Sequence, residues 1–257
     1  MGHISGKHLH EIYDTPNKLS LRFPSSTSAR DLRAADTVEK KLREIVVPLR
    51  FHIVQNLSMK KDDRVMQSWV KEKDIVDNIV PEINRIWHNS RISFRVERIL
   101  ESKALNPPNK EDLIMYIVNS HRDDSGHLDT VRSNKLRELI DWKKHSQKAI
   151  NIYLVPYLGE TFQGMASPAK KLIYLGQFSD KATGATTAPK PCELTEPLPF
   201  KKGSLSRTAA HEIGHVLGLM HPDSKTQTVF SRLMGGRNSG YELTAEETST
   251  ARQKAIA

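Results

Sequence analysis

One cysteine in 257 residues, Cys192, excludes any disulfide within the chain, so nothing covalent staples the fold. No run of eighteen apolar residues occurs, which excludes a transmembrane helix of ordinary length. The first eight residues, Met1-Gly2-His3-Ile4-Ser5-Gly6-Lys7-His8, lack the apolar stretch of a signal peptide. Aromatic residues make up only 6% of the chain, and no nucleic-acid motif accompanies its basic residues. The net charge of +9 is spread along the chain in pairs such as Lys40-Lys41, Lys143-Lys144 and Lys201-Lys202, which reads as solvated surface. Such a surface can still steer acidic substrates or anionic surfaces, an attraction that salt weakens. With 37% hydrophobic residues the chain can bury the core of one large domain, with or without an extension.

What is present is concentrated near the carboxyl end, in His211-Glu212-Ile213-Gly214-His215-Val216-Leu217-Gly218-Leu219-Met220-His221. Residues four apart share one face of an α-helix, so His211 and His215 can aim both imidazoles at one ion. Glu212 then stands beside that ion rather than on it. Zinc takes four tetrahedral ligands, of which a catalytic site leaves one to water, so a third protein ligand is needed. His221 is the candidate. On a straight helix it would lie roughly 15 Å beyond His211 along the axis. The helix must therefore end first, and Gly218 can end it by taking the left-handed conformation. A lone HExxH is common on helix faces; five fixed positions are a rarer pattern.

The segment matches HExxHxxGxxH and resembles the metzincin clan of zinc-dependent endopeptidases. Met234, in Ser231-Arg232-Leu233-Met234-Gly235-Gly236, lies thirteen residues past His221, where the clan carries a methionine-containing turn. Taken alone, Met234 reads as an ordinary buried methionine. The resemblance implies that it packs beneath the metal without ligating it. It also implies one catalytic zinc on His211, His215 and His221, with Glu212 taking a proton from the attacking water and delivering it to the leaving nitrogen. The implied fold is α+β. It has a twisted mixed sheet of about five strands, a backing helix, a zinc-site helix, and a smaller carboxyl-terminal subdomain holding the turn and a final helix. A protein or peptide substrate and a monomer are expected, and secretion is expected if the start of the chain is trimmed. Pro222 after His221 is similar to the serralysin-like group, whose glycine-rich calcium repeats are absent here. The segments at 49–55, 75–87 and 92–96 resemble pappalysin-like bacterial domains. Cys192 lies outside the amino-terminal prosegment that carries the clan's latency cysteine, and reads as an inert loop thiol. The rival reading is a zinc-stabilised, non-catalytic binding or toxin-like module.

Along the chain, residues 1–48 read as an extension, with a helix expected over 29–45. A metzincin-like domain is expected over 49–257, divided near residue 218 into upper and lower parts. Leu49 to Gln55 reads as a strand, and Val76, Ile79, Val80, Ile83, Ile86 and Trp87 recur at helical spacing around Pro81, which should kink that helix or start its better half. Ile92, Phe94 and Val96 alternate as a strand. Residues 110–119 and 128–145 read as helices. Between them Asp123 and Asp124 read as loop solvation, with calcium as the alternative. Ala149 to Val155 and Leu172 to Leu175 are apolar, branched strands. Residues 162–167 read as an edge strand ending at Pro168. Gly164, Met165 and Ala166 within it are candidates for contacting a substrate backbone, a mode in which a peptide adds itself to an unpaired strand. The alternative is an edge packed under the loop at 179–200. Finally, Thr244 and Glu247 have the spacing of a capping box for a last helix.

Overall fold

The computed structural model describes residues 43–61, 63–104, 141–159, 163–179, 189–195, 204–222, 231–235 and 240–256. The chain divides into two units, Met1–Arg43 and Glu44–Ala257, and the description that follows is of the second. The expected helices at 29–45 and 110–119, and the Asp123–Asp124 pair, lie outside the described residues, apart from the end of the first of these helices.

The strands are β1 (Ile45–Gln55), β2 (Ser58–Lys61), β3 (Arg64–Gln67), β4 (Ile92–Lys103), β5 (Ile150–Tyr157), β6 (Gly164–Ser167), β7 (Leu172–Ser179) and β8 (Lys190–Pro191). The main sheet runs β4-β1-β5-β7-β6, with β8 also pairing β7. Pairings β1–β4, β1–β5 and β5–β7 are parallel, while β6 and β8 lie antiparallel to β7. A separate antiparallel hairpin joins β2 to β3. The result is a mixed fold with a central, mostly parallel sheet.

Parallel strands must be covered on both faces, which is why β5, INIYLVPY, is buried at every position. Alternation sorts its side chains into two cores. Ile152 and Leu154 join Phe51, Ile53, Ile173 and Leu175 in a core with the helices, whereas Tyr153 and Val155 join Val54, Met59, Met66 and Tyr174 on the other face. Three helices matter for the site: α1 (Val80–Trp87), α2 (Leu205–Val216) and α3 (Ala245–Ile256). Helix α1 packs on α2, and Trp87 Nε1 donates to the carbonyl of Ala210 at 3.3 Å. Among the described residues no helix is long and apolar enough to cross a membrane.

Three sequence expectations need correction. Strand β1 begins at Ile45, the last residue of the expected helix, and takes in Pro48. Up to Pro48 the strand pairs with β4 alone, and pairing to β5 starts at Leu49, so a proline falls where one side of the strand carries no ladder. Val76 is exposed and Ile75 is buried in its place. The cause is a π-helical turn over Ile75–Ile79, with Val80 N–H donating to Ile75, which rotates the helix face before Pro81 enters in the first turn of α1. The end of the helix expected at 128–145 is a short 3₁₀ turn, Trp142–Lys144.

Candidate metal centre

Helix α2 starts at Ser204, whose Oγ accepts the N–H of Arg207 at 3.1 Å, an N-cap that the sequence reading did not identify. All twelve residues of α2 are buried, including Ile213 and Val216, which enter the helix-side core. Its carboxyl end is a Schellman motif. Leu219 N–H donates to Gly214 at 2.9 Å and Gly218 N–H to His215 at 3.0 Å, with Gly218 at φ +84°. Gly218 therefore makes the bend expected of it, and the chain returns to bring His221 over the helix.

His221 Nε2 lies 3.1 Å from Nε2 of His211 and 3.1 Å from Nε2 of His215. The Nδ1 of His211 is 2.8 Å from the carbonyl of Leu233, and that of His215 is 2.9 Å from the carbonyl of Leu219. A carbonyl only accepts, so both Nδ1 atoms carry the proton and both Nε2 atoms present lone pairs. His221 Nε2 has at most one proton to offer two acceptors 3.1 Å away. A cation among the three nitrogens satisfies them all. The spacing suits zinc, because bonds of about 2.0 Å in a tetrahedron put neighbouring ligands about 3.3 Å apart. Burial, then the neighbouring His215, hold His211 well below the ordinary histidine value, which keeps it neutral as a ligand must be. His211 and His215 are buried and His221 is exposed, so the cluster opens to solvent on one side.

Glu212 is buried beside His211, and burial pushes its carboxyl up to about 8 against the opposing charge of Arg207. A cation held by the imidazoles would act in the same direction as Arg207, returning the carboxyl towards its charged form. Across from it lies β6: a Cβ on Gly164 would stand 2.7 Å from Glu212 Cγ and 2.8 Å from its Oε1. Met165 and Ala166 are buried in opposite cores, so this edge can offer a ligand its backbone but little side chain. Strand β8 pairs β7 at Phe178 and Ser179, beyond the stretch of β7 that β6 occupies.

Met234 is fully buried in a turn closed by Gly235 N–H donating to Arg232 at 3.1 Å. Its Sδ lies 2.5 Å from where a Cβ on Gly214 would be, so it packs against α2 between the two helix histidines in sequence. Gly214, Arg207 and the carbonyls of Leu219 and Leu233 are site residues that sequence reasoning missed. Only Gly214 left a signal, as a glycine inside a helix. Cys192 is not in the histidine cluster. It is buried with Sγ–H donating to the Gly176 carbonyl at 3.6 Å, and burial pushes its thiol up to about 12. Tyr241 sits under the guanidinium of Arg85, 5.7 Å from the ring centroid.

No protein-family model matches the chain, and neither does a curated protein. Among solved structures, the chain is similar to one described as a chaperone–substrate complex, at TM-score 0.39 and 16% identity over 83% of this chain. The chain spans only 35% of that structure's length. It is also similar to a zinc-dependent peptidase from Methanocorpusculum labreanum (strain Z), at TM-score 0.36 and 13% identity, covering 79% of this chain and 99% of that one.

Proposed function

We propose that the chain is a zinc-dependent endopeptidase of the metzincin type that hydrolyses internal bonds of protein substrates. The observation that carries this reading is the convergence of three Nε2 atoms, two of them fixed as lone pairs by backbone carbonyls, beside a buried glutamate. His211, His215 and His221 would hold the zinc, Gly218 provides the bend, and Met234 floors the site. Bound there, zinc would supply Lewis acidity, polarising the scissile carbonyl and lowering the pKa of water. Glu212 is the general base, taking the proton of the attacking water and passing it to the leaving nitrogen. Its place against β6 supports a substrate lying along that edge, with the backbone of Gly164, Met165 and Ala166 meeting the substrate backbone. Family branch follows the sequence resemblance, pappalysin-like; the catalytic domain takes in all of β1 and so begins at Glu44 rather than at the expected residue 49.

The test is Glu212→Gln. This variant should retain stoichiometric zinc and lose proteolysis of a peptide library by about 10²-fold or more, as expected for loss of a general base. Wild-type-like cleavage in it would sink the mechanism. A protein that binds zinc but cleaves nothing, with a fourth protein ligand on the metal, would establish the non-catalytic module instead.

A further inference from the structure

Arg207 carries no step of the reaction just described, and beyond its charge opposing the rise of the Glu212 carboxyl it reaches the frame of the site twice. It lies on α2 one turn before His211, and its side chain is buried. Nε donates to the carbonyl of Gly240 at 3.0 Å, and Nη2 to the carbonyl of Leu233 at 3.3 Å. The Leu233 carbonyl is the same oxygen that accepts Nδ1–H of His211. One acceptor thus joins the guanidinium to the imidazole. Gly240 packs so tightly on the Ser231 backbone that a Cβ would overlap it, so the two carbonyls gripped by Arg207 belong to chain segments pressed together. Leu233 N–H donating to Glu242 and Glu242 N–H donating to Ser231 hold the same pair of segments from within.

Burying a guanidinium is costly unless its donors are used, and an apolar side chain would fill the space at lower cost. A planar fork with donors in fixed directions can bridge two carbonyls, whereas an ammonium on a flexible stem meets them as a point charge. We propose that Arg207 is a positioning residue of the metal centre: by gripping the Leu233 and Gly240 carbonyls it holds Leu233 where it sets the tautomer and orientation of His211. The inference rests on the zinc-site reading above. A merely structural clamp would lower the stability of the fold and leave the metal affinity of the folded protein alone.

The experiment uses the full chain, with cobalt(II) as a spectroscopic probe and zinc affinity measured by chelator competition, on wild type, Arg207→Lys and Arg207→Gln. Metal-free stability is followed separately by urea unfolding, and affinities are compared where each protein is folded. Arg207→Gln should bind zinc about 10- to 100-fold more weakly and show altered ligand-field bands, with Arg207→Lys, which keeps the charge, falling between it and wild type. Unchanged affinity and spectra in Arg207→Lys, or in Arg207→Gln, would overturn the proposal even if stability falls. If wild type itself takes up no cobalt, the zinc-site reading fails and the inference falls with it.

Discussion

Three glycines around the histidines are required for three different reasons, and each reason predicts a different response to alanine. At Gly214 the backbone is helical and the obstacle is Met234, whose Sδ stands 2.5 Å from the new Cβ. Gly214→Ala gains helix propensity of up to about 1 kcal/mol but overpacks the contact with Met234 by about 1–3 kcal/mol, so the net effect is destabilising. Urea unfolding should show that loss, and the same substitution made in a Met234→Ala background should cost less. At Gly218 the space is open, with Thr250 Cγ2 at 3.8 Å, and the obstacle is φ +84°. Gly218→Ala should cost about 1 kcal/mol of stability and weaken zinc retention, because the bend that returns His221 is strained. At Gly164 the obstacles are Glu212, whose Cγ stands 2.7 Å from the new Cβ, and the Cγ2 of Thr208 at the same 2.7 Å. Gly164→Ala should lower kcat with the zinc content kept, since the carboxylate is displaced while the ligands are untouched; a normal kcat would show that Glu212 has room to yield.

The final helix cap and the strands themselves were the elements most legible in the sequence. The capping box expected at Thr244 forms in both directions: Glu247 N–H donates to Thr244 Oγ1 at 3.1 Å and Thr244 N–H donates to Glu247 Oε2 at 2.8 Å. Glu247 also pairs with Arg232 at 2.6 Å, which ties α3 to the turn carrying Met234. Thr244→Ala should therefore lose about 1 kcal/mol, the usual worth of such a cap, measured by thermal or urea unfolding. Glu247→Ala should lose more, because the cap and the link to Arg232 go together. The alternating strands were readable because half of each residue's fate is its neighbour's opposite face. The π turn before α1 was not, since nothing in Ile75-Val76-Asp77-Asn78-Ile79 marks where one extra residue enters a turn. It exchanged Ile75 for Val76 on the buried face.

Across the molecule, the acid response should come from the face of the sheet opposite the helices. His52 is buried in β1, stacked on Tyr153 at 4.1 Å between centroids, with Nδ1 3.3 Å from Ser102 Oγ and Nε2 3.3 Å from Asn151 Oδ1. Asn151 Oδ1 also accepts Ser146 N–H, so the network links β1, β4, β5 and the segment before β5. Burial lowers His52 from 6.5 to about 4 despite the Asn151 bond, and His145, Arg50 and Lys144 push the same way as burial. The unfolded chain then binds the extra proton between those two values. Stability from neutral His52 is present above pH 6.5 and is lost as pH falls towards 4, by on the order of 3 kcal/mol. Urea unfolding across this range, compared with His52→Leu, isolates that share from that of His211, His215 and His221. A wild type whose pH slope matches the variant's would refute it.

Local physics was enough to read from the sequence the spacing of His211, Glu212 and His215, the bend at Gly218 and the final cap, because each depends on residues within a turn or two of one another. Distance in the chain hid the rest. Leu233 stands 22 positions from His211, and Gly240 stands 33 from Arg207, so no periodicity connects either carbonyl with the side chain that donates to it. The contact of Gly164 with Glu212 likewise exists only because β6 folds back beside β7 and α2 packs across it. The sequence by itself determined which side chains can meet a metal. The tertiary structure decided how they are aimed, since aim is set by backbone groups whose identity no side chain records.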